Sequence, residues 1–335
     1  MSTLSAIHGI TSTVFSNLFI TLPIPQSEPG LSEKTYIVTG ANQGLGYEAC
    51  KHLLRIGVGK IIMGVRTIEK GEAARKTLLE ETNRSPDSVQ VWDIDMASYA
   101  SVQAFAQRAS TLTRLDGVLA NAGILTAKFA MAEDNEAVIT VNVVCTFLLF
   151  LLILPKLRAS PGGTAYFVIP NSGLHYTATI KEVLPAKAGG KAGNVFERLS
   201  NPSEANMANR YSLSKLLVLL VTRALDARLK QSKKPGATVI INTPNPSYCK
   251  SSLIRDPDQT PPPDFIARST EMGSRALVHG LFAGKQSAGQ YINNCHVQAP
   301  ASFATNKTGA QIQEAFFSDL LQKLDSIVPG VTQNI

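Results

Sequence analysis

A tyrosine and a lysine four residues apart, Tyr211 and Lys215 in the stretch RYSLSK, are the side chains of this chain best suited to moving a proton. The apolar run LLVLLVTRALDARL that follows has helical periodicity, and residues four apart on a helix lie on one face. A free phenol titrates near ~10, which makes it a poor proton donor or acceptor at neutral pH. A cation a few ångströms away favours phenolate and lowers that value by about 1 to 3 units. With Lys215 in that position, Tyr211 is expected to exchange a proton with a bound substrate, a role worth roughly 10² to 10⁴ in rate. A Tyr-x-x-x-Lys pair by itself is common on protein surfaces, so its meaning depends on the elements that hold it.

The element that organises those surroundings is YIVTGANQGLG, Tyr36 to Gly46. A β-branched and aromatic run stops at Thr39, passes Gly40, Gly44 and Gly46, and opens into the helical pattern YEACKHLL: a strand, a tight turn and a helix start. Gly40 permits the turn, Gly44 lets backbone approach a ligand, and Gly46 lets the helix sit close on the strand. The turn Gly40, Asn42, Gln43, Gly44, Leu45 and Gly46 therefore reads as a cradle for an anion such as a pyrophosphate. The next apolar strand, KIIMGVR, ends at Arg66, with Lys70 nearby. An acidic residue about 20 positions past such glycines takes a ribose 2′-hydroxyl, whereas a basic one accommodates a 2′-phosphate, so the sequence favours NADP(H) over NAD(H).

Composition narrows the rest. The chain has 335 residues, 44% of them hydrophobic, enough for one large core. The net charge of +7 is scattered, without basic runs or an aromatic-interleaved stripe, which argues against nucleic acid as a partner. Cys50, Cys145, Cys249 and Cys295 lie far apart and read as reduced, packed thiols of a cytoplasmic protein. The five histidines show no ligand spacing, so no metal is expected. The most apolar window, Val143 to Leu154, falls short of the ~20 residues a membrane span needs and reads as a buried helix. In the N-terminal stretch, Val14, Phe15, Leu18, Phe19 and Ile20 are expected to pack onto the domain, with loose contact to a membrane as the alternative.

Taken in order, these stretches resemble the short-chain dehydrogenase/reductase superfamily, in its retinol-dehydrogenase-like branch. The carrying residues are the Thr39-Gly40-x-x-x-Gly44-x-Gly46 turn, Asn121-Ala122-Gly123 with Ala120 in place of a first Asn, the helix amide Asn142, Asn171-Ser172-Gly173 where relatives carry Ser-Ser, and Tyr211 with Lys215. The resemblance spans about residues 33–329, after an N-terminal extension over 1–32. It implies a single α/β domain, a Rossmann-type doubly wound sheet of about seven parallel strands. It implies that Asp95 faces the adenine (a residue that could also cap the following helix) and that Asn121, Ala122 and Gly123 leave room for the nicotinamide ribose, to which Lys215 hydrogen-bonds. By the same resemblance Asn142 bends its helix and holds a water, although an amide satisfying a neighbouring strand is the alternative. Ser172 orients the carbonyl, and Ser251 contacts the carboxamide. Ser247 stands where relatives carry glycine, so its backbone must avoid positive φ or bear some strain. Residues 174–209 are expected to roof the pocket as a lid insertion, 250–268 to form the substrate loop, and the C-terminal helix to cover the active-site side.

The expected function is NADPH-dependent reduction of a ketone or aldehyde to an alcohol, or the reverse, on a small molecule such as a polyketide or terpenoid intermediate, by a monomer or homodimer. The alternative keeps the cofactor but not the reduction: an NADPH-binding sensor or scaffold, or a catalyst of a non-redox step.

Overall fold

The strands fall where β-branched and apolar residues cluster, and their order places one crevice. The structure, a computed structural model, describes residues 3–184, 194–250, 253 and 263–335. The strands are β1 (Thr35–Thr39), β2 (Lys60–Val65), β3 (Val89–Asp93), β4 (Gly117–Leu119), β5 (Met131–Ala132), β6 (Asn135–Glu136), β7 (Thr164–Val168), β8 (Thr238–Asn245), β9 (Tyr291–Asn293) and β10 (His296–Gln298). The main sheet runs β10-β9-β8-β7-β4-β1-β2-β3. Its strands from β9 to β3 are parallel, the seven expected from sequence, and β10 adds an antiparallel edge. The two-residue strands β5 and β6 pair separately. Strands this short carry no alternation to read, and β10 is fully exposed. Strand order reverses between β1 and β4, and a crevice opens at such a switch point beyond the carboxyl ends of the strands.

Helices cover both faces. The glycine-turn helix, Gly44–Arg55, packs Ala49, Cys50, Leu53 and Leu54 onto β1 and β2. On the other face lie the helix Ala137–Arg158 and the long helix Met207–Gln231. Ala137–Arg158 has 22 residues, with the apolar window Val143 to Leu154 at its centre, and is long enough to cross a membrane by length and composition. Almost all of it is buried between sheet and helices, so it is a core helix. All four cysteines are free and buried.

Two expectations about the periphery are corrected. In the insertion, Val195, Phe196 and Leu199 of the short helix Val195–Leu199 sit in the main core, with the Phe196 ring against Phe316 of the C-terminal helix (Lys307–Ile327). This part of the insertion is structural filling and not a roof, while residues 185–193 lie outside the described residues. The C-terminal helix packs on the outer side of Met207–Gln231, with Arg228 over the Phe317 ring, and lines no part of the cavity described below.

The N-terminal helix, Thr3–Phe19, docks through its small and polar residues. Ser5, Gly9 and Ser16 are buried, whereas Phe15 and Phe19 are exposed, the latter by 71%, contrary to the expected packing. The Ser5 hydroxyl donates to the Tyr176 carbonyl, and a Cβ on Gly9 would approach Tyr176 Cβ to 2.6 Å, so only glycine allows this approach. Asn17 donates to the carbonyls of Tyr248 and Ile266, both at 2.8 Å. The Arg268 guanidinium donates to the Ser16 and Ile20 carbonyls and to the Asn294 side chain.

Candidate active site

A cavity of about 1050 Å³ follows the crevice over the strand ends. One end is the glycine turn. Gly40 and Gly44 adopt φ of 64° and 60°, the left-handed region that favours glycine. A Cβ on Gly46 would come within 2.5 Å of the Gly40 carbonyl oxygen, so this glycine lies beneath the turn and sets its closeness to the helix. Gln43, at the N-cap, makes no side-chain cap hydrogen bond, which leaves the first N–H groups of this helix for a ligand. Gly40, Asn42, Gln43, Gly44 and Leu45 all line the cavity. Arg66 and Lys70, exposed, reach the same end.

The middle is formed by the turns after β3 and β4. Asp95 lines the cavity and accepts from the Ala97 N–H; the cap of the following helix is Ser98 and not Asp95. Asn121, Ala122 and Gly123 line the cavity as expected. The Asn121 amide donates to the carbonyls of Thr39 and Gly40, and the Ala122 N–H donates to Thr39 Oγ1, so the strand ends are tied although Ala120 carries no amide.

Asn142 sits one layer behind. Its Oδ1 accepts from the Ile124 N–H at 3.0 Å, and its Nδ2 donates to the Ile124 carbonyl and to Ser214 Oγ. The amide thus bonds a neighbouring segment and Ser214. Around this residue the helix is π-helical over Thr140–Val144.

Tyr211, Lys215 and Ser172 meet at the other end. Asn171 is buried, its Oδ1 accepting from the Ser172 N–H and its Nδ2 donating to the Lys215 carbonyl. That leaves Ser172 as the hydroxyl facing Tyr211, with which it shares a hydrogen bond. Burial pushes the Tyr211 phenol well above the ordinary value and the Ser172 hydrogen bond opposes it only in part, the reverse of the lowering expected from Lys215. Lys215 Nζ lies 5.5 Å from the centre of the Tyr211 ring and donates to the Pro170 carbonyl at 2.8 Å. Burial lowers its own pKa to about 8.

Two supports were not legible in sequence. His175 is held neutral by burial, its pKa lowered to about 4. Its Nε2 accepts from the Ala301 N–H, which leaves Nδ1 to donate to the Ser172 carbonyl at 2.7 Å. Arg210, fully buried next to Tyr211, pairs with Glu136 and Glu182 and donates to the Leu199 carbonyl. Residues scattered this widely announce no pairing before the chain is folded.

The walls come from the N-terminal helix through Gly9, Ile10, Thr13 and Val14, and from the segment around Tyr248 and Ile266. Small residues at Ser5, Gly9 and Thr13, four apart, were the available signal for the first of these. Within the substrate loop expected over 250–268, Lys250, Leu253, Asp264 and Ile266 line the cavity, and Ser251 lies outside the described residues. Leu174 and Thr177 are the described residues of the insertion that reach it.

At β8's end, Ser247 takes φ 68°, the left-handed region, and its N–H donates to Asn245 Oδ1. The glycine conformation is therefore kept without the glycine. Among the described residues no cluster of His, Cys, Asp or Glu could hold a metal.

The profile described as short chain dehydrogenase matches residues 34–189. The chain is similar to short chain dehydrogenase/reductase dmxR8 of Cryptosporiopsis sp. (strain 8999), 39% identical over 96% of this chain and 99% of that protein. It is similar to short-chain dehydrogenase anuD of Penicillium roqueforti (strain FM164), at 36% identity over 96% of this chain and 84% of that one. A crystallised chain from Escherichia coli CFT073, complexed with NADPH, superposes with a TM-score of 0.55 at 23% identity, covering 79% of this chain and 97% of that chain.

Proposed function

Since this chain belongs to the short-chain dehydrogenase/reductase family, whose members are oxidoreductases, we propose that it uses NADP(H) to reduce a ketone or aldehyde to an alcohol. The observation that carries the reading is convergence: Tyr211, Ser172 and Lys215 stand at one end of a cavity whose other end is the glycine turn with Arg66 and Lys70.

The residues present fit a dinucleotide phosphate. The uncapped helix start at Gly44 offers N–H groups to a pyrophosphate, a Cβ at Gly44 would have no neighbour within 4 Å, and two free-standing cations border the cavity beyond it. Arg66 and Lys70 would hold the 2′-phosphate, and Asn121, Ala122 and Gly123 would border the nicotinamide ribose. When bound, the cofactor supplies hydride to the carbonyl carbon. Ser172 and Tyr211 hold the carbonyl oxygen between two hydroxyls, and Tyr211 gives it a proton. Burial suits this step, since a phenol with a raised pKa keeps its proton until the oxygen's basicity grows. Lys215, ammonium up to about pH 8 and 5.5 Å from the ring centre, favours charge on the phenolate oxygen left behind. His175 and Asn171 fix Ser172 from below.

Val14, Ile124, Leu174 and Ile266 add apolar surface to the cavity lining. Together with fungal relatives this supports an extended, weakly polar substrate such as a polyketide or terpenoid intermediate.

The test is NADPH oxidation followed spectroscopically against a panel of ketones and aldehydes. Tyr211→Phe is expected to lower turnover by roughly 10² to 10⁴ while NADPH affinity stays within about twofold. Equal turnover in the variant would remove the proton donor, and NADPH binding without oxidation across the panel would favour the sensor or non-redox alternative. Arg66→Asp is expected to weaken NADPH binding more than NADH binding; an unchanged preference would refute the phosphate contact.

A further inference from the structure

The N-terminal helix is amphipathic the wrong way round for a helix docked on a protein. Leu4, Ile7, Thr11, Phe15 and Leu18 recur at the three- and four-residue spacing of one helix face, and that face points outward. Leu4 is 78% exposed, Phe15 58% and Phe19 71%, and the Phe15 and Phe19 rings touch each other in solvent. The opposite face, Ser5, Gly9 and Ser16, is the one buried on the domain. The apolar surface continues past the helix. Asn17 bonds the Ile266 carbonyl, which places the helix beside Phe265, itself 78% exposed.

Two features decide what covers this face. The first is charge: no Asp, Glu, Lys or Arg precedes Glu28, so the helix offers none of the rim ion pairs by which a protein partner is oriented. The second is size. A helix of 17 residues is about 25 Å long and about 10 Å wide, a narrow strip and not the broad patch that a stable protein interface of ~800 Å² per partner covers. A bilayer surface has neither requirement, because it takes apolar side chains into its acyl boundary without paired polar groups. The net charge of +7 adds attraction to anionic headgroups.

We infer that this protein rests on a lipid bilayer through the outward face of its N-terminal helix, lying in the surface and not crossing it. Gly9, Ile10, Thr13 and Val14 of the same helix line the cavity, so the chamber is one helix thickness from the lipid. The inference does not depend on the reductase reading, since its test needs no turnover.

The full chain is sedimented with vesicles of phosphatidylcholine, alone and mixed with phosphatidylserine. Co-sedimentation is expected with both, stronger with the anionic mixture. Phe15→Ser with Phe19→Ser is expected to lower the partition coefficient by roughly tenfold or more, with the melting temperature and NADPH affinity unchanged. Leu4→Ser with Ile7→Ser, at the other end of the face, is the second variant and is expected to act in the same direction. No co-sedimentation of the natural chain, or equal co-sedimentation of both variants, would overturn the inference. So would a natural chain that is dimeric in light scattering and made monomeric by either variant, since the face would then be spent between copies.

Discussion

Lys215 is a buried cation, and its chemistry and its cost have one origin. Burial holds its pKa at about 8, against ~10.4 in an unfolded chain. Below about pH 8 the folded state carries the charge and the full penalty. Between about 8 and ~10.4 the unfolded chain binds the extra proton, so stability rises with pH through that window. Lys215→Met removes the penalty. It is expected to raise the melting temperature near neutral pH and to flatten the alkaline rise, while turnover collapses. A variant that melts lower than the natural chain at neutral pH would show that the ammonium is not a destabilising group. At this scale the sequence told the identities of Tyr211, Lys215 and Ser172 but not their titration. The effect of Lys215 on Tyr211 depends on how deep the phenol lies, and depth belongs to the folded chain.

Among elements, the turn after β8 shows how a local rule is kept under an unfavourable residue. Ser247 holds φ 68° because Asn245 binds its N–H, while its own hydroxyl is buried without a hydrogen-bond partner among the described residues. Ser247→Gly should relieve both burdens and stabilise the protein by roughly 1 kcal/mol, measured by denaturant unfolding. Loss of stability would mean that the serine is held by something more than its backbone. The elements legible in sequence were those with long patterns. The β1 run into the glycine turn and the apolar run of Met207–Gln231 each fix a period and a boundary. The π-helical turn at Asn142 and the edge strand β10 were not, because neither repeats long enough to leave a pattern. The N-terminal helix was half legible: apolar spacing defines a stripe, but only the partner surface decides whether the stripe faces in or out.

Across the whole molecule, the cavity is assembled from distant parts of the chain. The end with the glycine turn comes from the first half of the sheet, the end with Ser172, Tyr211 and Lys215 from the carboxyl end of β7 and the helix Met207–Gln231, and the walls from residues 9–14 and the segment around Ile266. The order of motifs foretold the first two, since each sits at the end of a strand. It could not foretell the walls, whose residues carry no chemistry of their own. A protein trimmed to begin at residue 34, where the family profile begins, would keep every donor, acceptor and cation assigned to cofactor and carbonyl. It would nonetheless stand with one flank breached beside Ser172. On the function proposed above, bulk solvent would wet the reacting carbonyl there, and large lipophilic ketones would lose the surface that centres them while short aldehydes would scarcely notice. Such a shortened enzyme would be indiscriminate before it was inactive.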